Sequence, residues 1–451
     1  MKNSETWILN PTIVTQNKNR DIYNGHIRIS DNRIVEIRKT SPKVLSDQKV
    51  IDAKGLTIVP GFVQAHTHLC QTLFRNLADD LELLDWLQKR IWPMEASHTP
   101  ETLETSVKMG IYELLSSGTT CVLDMGTVRH TEVIIQTVKK LGLRGSFGKC
   151  LMDHPDTTPQ GLREPTEQAI KEAKDLFEKW NGAMNDRIRI SYAPRFVISC
   201  TEKLLKEIAK LAMNQKALIH THASENRKEI ELVRSMTGLE NIEYLDHLQM
   251  TGKHLVLAHC IWLSSKEMNI LKKTGTHVCH CPSSNLKLAS GFAKIPEMLT
   301  QKINIALGAD GAPCNNNLNQ FQEMRFAALI HKPTYGPRTM DAQTVLDMAT
   351  LHGAKALQWS DDIGSIEVGK KADFFAIDLD RPESQVPFTK KIDSQKVISA
   401  LVYSAQSAQI QWTMVDGKRL YDRGKVKGIK TSVLNEEIKK AQKKILNKIK
   451  S

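Results

Sequence analysis

Six residues able to bind metal or move protons recur along this chain at the ends of short apolar runs. The run VPGFVQAHTH ends in His66 and His68, HTHASEN supplies His222 and Glu225, LAHC supplies His259, and LGADGAP supplies Asp310. Along a strand, residues i and i+2 share a face, so His66 and His68 project together, which suits one metal ion. Imidazole nitrogen and carboxylate oxygen are the donors a divalent cation such as zinc takes, and iron(II) accepts the same set. His66, His68, His222 and Asp310 would leave that ion a net positive charge and room for a water. Such an ion lowers the pKa of its water toward about 7. Asp310 could then touch the metal and accept the water's proton. Glu225, just past His222, could protonate a ring nitrogen of a substrate. His259 could orient the attacking hydroxide and stabilise the oxygen of a tetrahedral intermediate. A second ion would need a bridging lysine or glutamate on the fourth strand, and RIRISYAPRF has neither. One ion is therefore expected, with His220 packed one step deeper.

These side chains must come from separate elements held in one frame. From Val59 onward, short apolar strands alternate with helix-period segments. The strands are GFVQAHTH, TTCVLDMG, RGSFGKCLMD, RIRISYAPRF, KALIHTHASE, HLVLAHCIW, THVCHCP and NIALGADG. This alternation predicts an α/β fold, a (β/α)8 TIM-type barrel, whose active site lies at the C-terminal strand ends. An open doubly wound sheet fits less well, because no glycine-rich phosphate loop follows a strand. Residues 1–58 and 362–428 both read as short strands and are expected to pair into one small β-sandwich domain. The barrel then occupies 59–361. Residues 429–451 read as a basic amphipathic helix, with Leu434, Ile438, Ala441, Ile445 and Ile449 at helical spacing. Thr431 or Ser432 is the expected cap of that helix.

Composition narrows the function classes. The 451 residues are 41% hydrophobic and 25% charged, an ordinary globular balance able to bury a large core. No apolar run reaches the roughly 18 residues of a membrane span, and the N-terminus has no apolar signal core. Eight scattered cysteines without a C-x-x-C fit reduced thiols and a cytoplasmic location. HVCHCP, at 277–282, reads as structural. The net charge of +12 is concentrated toward the lysine-rich C-terminus. With no basic–aromatic cluster or finger motif, that face is expected to be solvated, and neither nucleic acid nor membrane is an expected partner. A small-molecule substrate is expected; homo-oligomerisation is left open.

The ordered set H-T-H, H-A-S-E, A-H-C and G-A-D-G resembles the amidohydrolase superfamily in its aminohydrolase branch, over nearly the whole chain. The resemblance implies a hydrolytic deaminase in which metal-bound hydroxide displaces ammonia from a cyclic amidine. LADDLELLDWLQKRIWPMEA resembles the segment in which nucleoside deaminases set a carboxylate on the ribose hydroxyls, here Glu95. APRFVISCTE resembles the guanine deaminase segment whose Arg and Phe hold the purine, here Arg195 and Phe196, and Gln71 matches a base-binding Gln. Lys149 and Arg163 fall near the carboxylate-binding arginines of methylthioadenosine and S-adenosylhomocysteine deaminases. The combination most resembles 5'-deoxyadenosine deaminases. The alternatives are a guanine, other aminopurine or pterin base deaminase, and a triazine aminohydrolase or chlorohydrolase.

Overall fold

In a computed structural model, residues 5–387 and 392–449 are described. Eight parallel strands stand side by side in chain order: β1 (Phe62–Thr67), β2 (Thr119–Thr127), β3 (Arg144–Leu151), β4 (Ile188–Pro194), β5 (Ile219–Ala223), β6 (Leu255–His259), β7 (His277–His280) and β8 (Ile305–Leu307). A parallel bridge between Thr67 and Asp310, just past β8, joins the last strand to the first. The Asp310 N–H donates to the His66 carbonyl at 3.2 Å across that seam. Gly308 makes the approach feasible, since a Cβ there would lie 2.8 Å from the His66 carbonyl oxygen and 2.7 Å from Cys279 Sγ.

All eight apolar runs picked out in the sequence became barrel strands, because their small and β-branched residues fill a closed interior. Val63, Ala65, Cys121, Leu123, Val256, Cys279 and Ala306 pack together there, with Leu357 and Trp359 in the same cluster. Helices between the strands bury one face each. Glu202–Gln215 is typical, capped by Thr201 and burying Leu204, Leu205, Ile208, Ala209 and Ala212. HVCHCP is structural in form: Cys279 and Cys281 lie in the barrel interior with their sulfurs 3.9 Å apart. Among the described residues the eight cysteines are buried and unbridged.

The chain ends interleave beside the barrel. Phe374–Ile377 pairs antiparallel with Thr57–Pro60 inside a seven-stranded sheet, and a four-stranded sheet is built around Glu5–Leu9. Ile8, Ile13, Ile27, Ile58, Phe374, Trp412 and Met414 fill the space between them. This sandwich is tied to the barrel through Arg144 on β3. Its Nε meets Asp373 Oδ2 at 2.7 Å and its Nη2 meets Asp416 Oδ1 at 3.1 Å, all three buried. Removing one partner would strand a buried charge.

The C-terminal helix spans Thr431–Lys448 and buries Leu434, Ala441 and Ile445. Its cap position is Lys430, which makes no side-chain cap bond, so Thr431 lies inside the first turn and does not close it. Ile449 lies beyond the helix and is 37% exposed, not part of the packed stripe. Among the described residues, no helix is long and apolar enough to cross a membrane.

Candidate active site

The C-terminal strand ends bring His66, His68, His222, Glu225, His259 and Asp310 together, but not by simple alternation. Val63 and Ala65 face the barrel interior, so an unbroken β1 would turn His66 away from it. The pairing of β1 with β2 slips between Gln64 and Thr67. Such a bulge re-aims the following side chain. His68 leaves the strand at the start of a short 3-10 turn, Leu69–Phe74. Asp124 on β2 holds that turn, accepting from the Leu69 N–H at 2.7 Å and the Gly126 N–H at 3.0 Å. Ser224, His259, Cys260 and Asp310 all have left-handed backbones, with φ between 48° and 72°. That conformation costs a non-glycine residue roughly 1–3 kcal/mol and concentrates at functional sites.

The imidazoles of His66, His222 and His259 are each fixed by a partner behind them, whereas His68 Nδ1 has none. His222 Nδ1 donates to the Arg195 carbonyl at 2.7 Å, leaving Nε2 free toward the site. His66 Nδ1 meets His220 Nε2 at 2.8 Å, and His66 Nε2 lies 3.1 Å from Asp310 Oδ1. His68 Nε2 stands 3.2 Å from His222 Nε2 and 3.3 Å from Asp310 Oδ1. His259 Nδ1 donates to Asn285 Oδ1 at 2.8 Å, turning Nε2 toward Glu225 Oε2 at 3.5 Å and Asp310 Oδ2 at 3.8 Å. Ser284 donates to Asp310 Oδ2 at 2.7 Å. Burial, then the neighbouring His66 imidazole, holds His68 and His222 well below the usual histidine range. They are therefore neutral, the state a metal ligand requires.

Ligand atoms of His66, His222, His259 and Asp310 lie within 4.8 Å of one another, so this group could hold an ion. A three-nitrogen, one-carboxylate donor set suits a divalent transition metal. By the same distance His68 groups with Cys70 and Glu95, but its short contacts to His222 and Asp310 put its Nε2 at the first cluster too. Glu225 is 4% exposed, and its Oε1 has no hydrogen-bond partner. Burial, the Asp310 charge and the Glu229 charge push its carboxyl well above the usual range. Glu229 also accepts the Glu225 N–H at 2.8 Å, steadying the loop that carries it.

A pocket opens over this cluster, lined by Gln71, Arg195 and Phe196 and by the apolar Leu83, Trp86 and Leu87. Glu95 lies behind two of these residues. Its Oε1 accepts from Gln71 Nε2 at 2.8 Å, and its Oε2 meets Arg195 Nη1 at 2.7 Å. Lys149 and Arg163 do not reach the pocket. Lys149 shares its strand face with Phe147 and Leu151, which pack against the surrounding helices, and is buried against Glu164 at 2.5 Å. Arg163 is exposed, with Nη1 on the Pro155 carbonyl at 2.7 Å. Neither residue therefore lines the pocket, where the sequence led one to expect a substrate contact. Asn285, Ser284, Asp124 and the apolar roof were not picked out in the sequence. SSN directly after HVCHCP was the nearest signal for Ser284 and Asn285.

A closed parallel barrel carrying histidines and an aspartate at its C-terminal mouth defines a class of metal-dependent hydrolases. Residues 57–420 match the amidohydrolase family, and the chain belongs to it. It is 38% identical over 427 residues to a 5'-deoxyadenosine deaminase of Methanobrevibacter smithii, covering 94% of each chain. It is 34% identical to a 5-methylthioadenosine/S-adenosylhomocysteine deaminase of Thermoanaerobacter pseudethanolicus, over 94% of this chain and 95% of the other. Among solved structures, an adenosine deaminase from Xanthomonas campestris with bound zinc superimposes with a TM-score of 0.90. The identity there is 29%, with 98% of this chain and 99% of the other covered.

Proposed function

We propose that the chain is a metal-dependent hydrolytic deaminase of an adenine nucleoside of the 5'-deoxyadenosine type, releasing ammonia. The observation that carries this reading is Glu225, a buried carboxyl with a free oxygen opening on the same pocket as the His and Asp cluster. The named activities of the relatives point the same way. One divalent ion, zinc or iron(II), held by His66, His68, His222 and Asp310 would supply Lewis-acid activation of a water at neutral pH. His68 is preferred to His259 as the remaining ligand because His259 Nε2 stands farther from Asp310. His259, its other nitrogen committed to Asn285, is then free to orient the water.

Asp310 takes the proton from the water as the oxygen adds to the amino-bearing ring carbon. Glu225, whose burial favours the protonated form, gives its proton to the adjacent ring nitrogen. The remaining proton of the added hydroxyl passes to the Glu225 carboxylate as the C=O forms, and the proton held by Asp310 passes to the amine, which leaves as ammonia when the C–N bond breaks. Leu83, Trp86, Leu87 and Phe196 exclude bulk water from the ring. The eight buried, unbridged cysteines suit a reducing, cytoplasmic setting.

The test is ammonia release across adenosine, 5'-deoxyadenosine, methylthioadenosine, S-adenosylhomocysteine, adenine and guanine. Adenine nucleosides without a charged 5' group are expected to lead, because neither Lys149 nor Arg163, the candidates for holding the carboxylate of S-adenosylhomocysteine, lines the pocket. A second reading, a deaminase of a free aminopurine base, is favoured by Gln71, Arg195 and Phe196 lining the pocket. Guanine turnover with no nucleoside turnover would select it.

A further inference from the structure

Glu323, on the helix Gln320–Leu329, is fully buried and lies outside the pocket lining. Its carboxyl takes three hydrogen bonds from two loops at the barrel mouth. Oε1 accepts from Ser283 Oγ at 2.5 Å and from Asn315 Nδ2 at 2.8 Å, and Oε2 accepts the Ser283 N–H at 3.2 Å. We propose that Glu323 is a positioning residue, clamping the loops after β7 and β8 so that His259 and Asp310 keep their places relative to each other. The inference rests on the deaminase reading above for its turnover test.

Each loop carries a hold on the reacting cluster. Ser283 stands in the short helix Pro282–Lys287, and the two residues after it are the ones that touch the cluster. Ser284 donates to Asp310 Oδ2 at 2.7 Å, and Asn285 Oδ1 accepts from His259 Nδ1 at 2.8 Å. Asn315 ends the next turn, Ala312–Asn315, and its Nδ2 also donates to the Ala309 carbonyl at 2.8 Å. Ala309 leads directly into Asp310, whose backbone is held left-handed at φ 61°, a conformation that persists only under restraint. One carboxyl thus fixes the turn that holds both side chains and the peptide that enters Asp310. The clamp needs an acceptor at each oxygen, since one faces the Asn315 amide and the other the Ser283 N–H. An amide offers one acceptor and one donor group. Glu323→Gln therefore keeps the shape but sets an NH2 against an N–H at one of the two places, and the buried donor there loses its partner.

Glu323→Gln, Ser283→Ala and the double variant are compared with wild type on 5'-deoxyadenosine, as metal-loaded full-length protein. Misplaced reacting groups above an unchanged pocket lining predict a kcat lower by about 10- to 100-fold for Glu323→Gln, with KM close to that of wild type. Ser283→Ala should lose less, and the double variant no more than Glu323→Gln alone, because both changes break one link. Wild-type kcat in the folded single variants, a loss confined to KM, or losses that multiply in the double variant would overturn the inference. Should Glu323→Gln not fold, the kcat of Ser283→Ala decides by the same criterion. A crystal structure of a folded variant supplies a readout that does not depend on turnover. The Ser284–Asp310 and Asn285–His259 contacts should lengthen beyond hydrogen-bonding distance, and finding both intact would also overturn the inference. If wild type deaminates no nucleoside, the substrate reading fails while these two distances still decide the role of Glu323.

Discussion

In the proposed reaction His68 and Glu225 separate the two halves of the chemistry, holding an ion and moving a proton. His68→Ala removes a nitrogen that stands 3.3 Å from Asp310 Oδ1 and should abolish both tight metal binding and turnover. Elemental analysis of the purified variant checks this, and full metal content with full activity would move the ligand role to His259. Glu225→Gln keeps the shape but cannot deliver a proton. Turnover should fall by about 10²–10⁴-fold with metal retained, and near-normal turnover would assign the proton transfer elsewhere. The position of these residues at the barrel mouth was legible in the sequence because each stands at or just past a strand end. Asn285, Ser284 and Asp124 were not, since they act through loop geometry that spacing does not encode. Lys149 is the opposite case. Its local sequence resembled a substrate-binding segment, but the two-residue period of β3 turns it toward Glu164 and the helices.

At the level of elements, the eight barrel strands could be read from apolar runs alone, whereas the slip in β1 that aims His66 could not. The turn after His68 depends on Asp124, and this gives a pH test. Burial lifts the Asp124 carboxyl to about 7, despite the N–H bonds from Leu69 and Gly126 that favour its charge. An unfolded aspartate titrates near about 3.9. Between those values the folded chain holds a proton that the unfolded chain has released, so stability is greatest below the lower value. It is lost as pH rises through the higher one. In metal-stripped protein, Asp124→Asn should flatten the fall in unfolding free energy between about pH 4 and 7. An unchanged slope in chemical denaturation would contradict this. The C-terminal helix offers a packing test. Ile445 is 1% exposed, and Ile445→Ala should destabilise the fold by about 2–5 kcal/mol. A variant that melts with wild type would show that the helix is not part of the folded unit.

For the molecule as a whole, the barrel supplies a fixed mouth and the sandwich clamps its side. The buried Arg144 contacts with Asp373 and Asp416 join the two. The alternating texture of the two chain ends made their pairing legible, but the Arg144 link joins residues more than 200 positions apart and left no local signal. Fold and metal cluster follow from the whole chain, while substrate choice rests on the few side chains around Arg195. The central claim is therefore tested most directly by the ratio of kcat/KM for 5'-deoxyadenosine to that for guanine, measured as ammonia release by the zinc-loaded protein. The account predicts a ratio well above one, with loss of activity when the metal is chelated and recovery when it is restored. Guanine turnover with 5'-deoxyadenosine untouched, or activity indifferent to chelation, would contradict it.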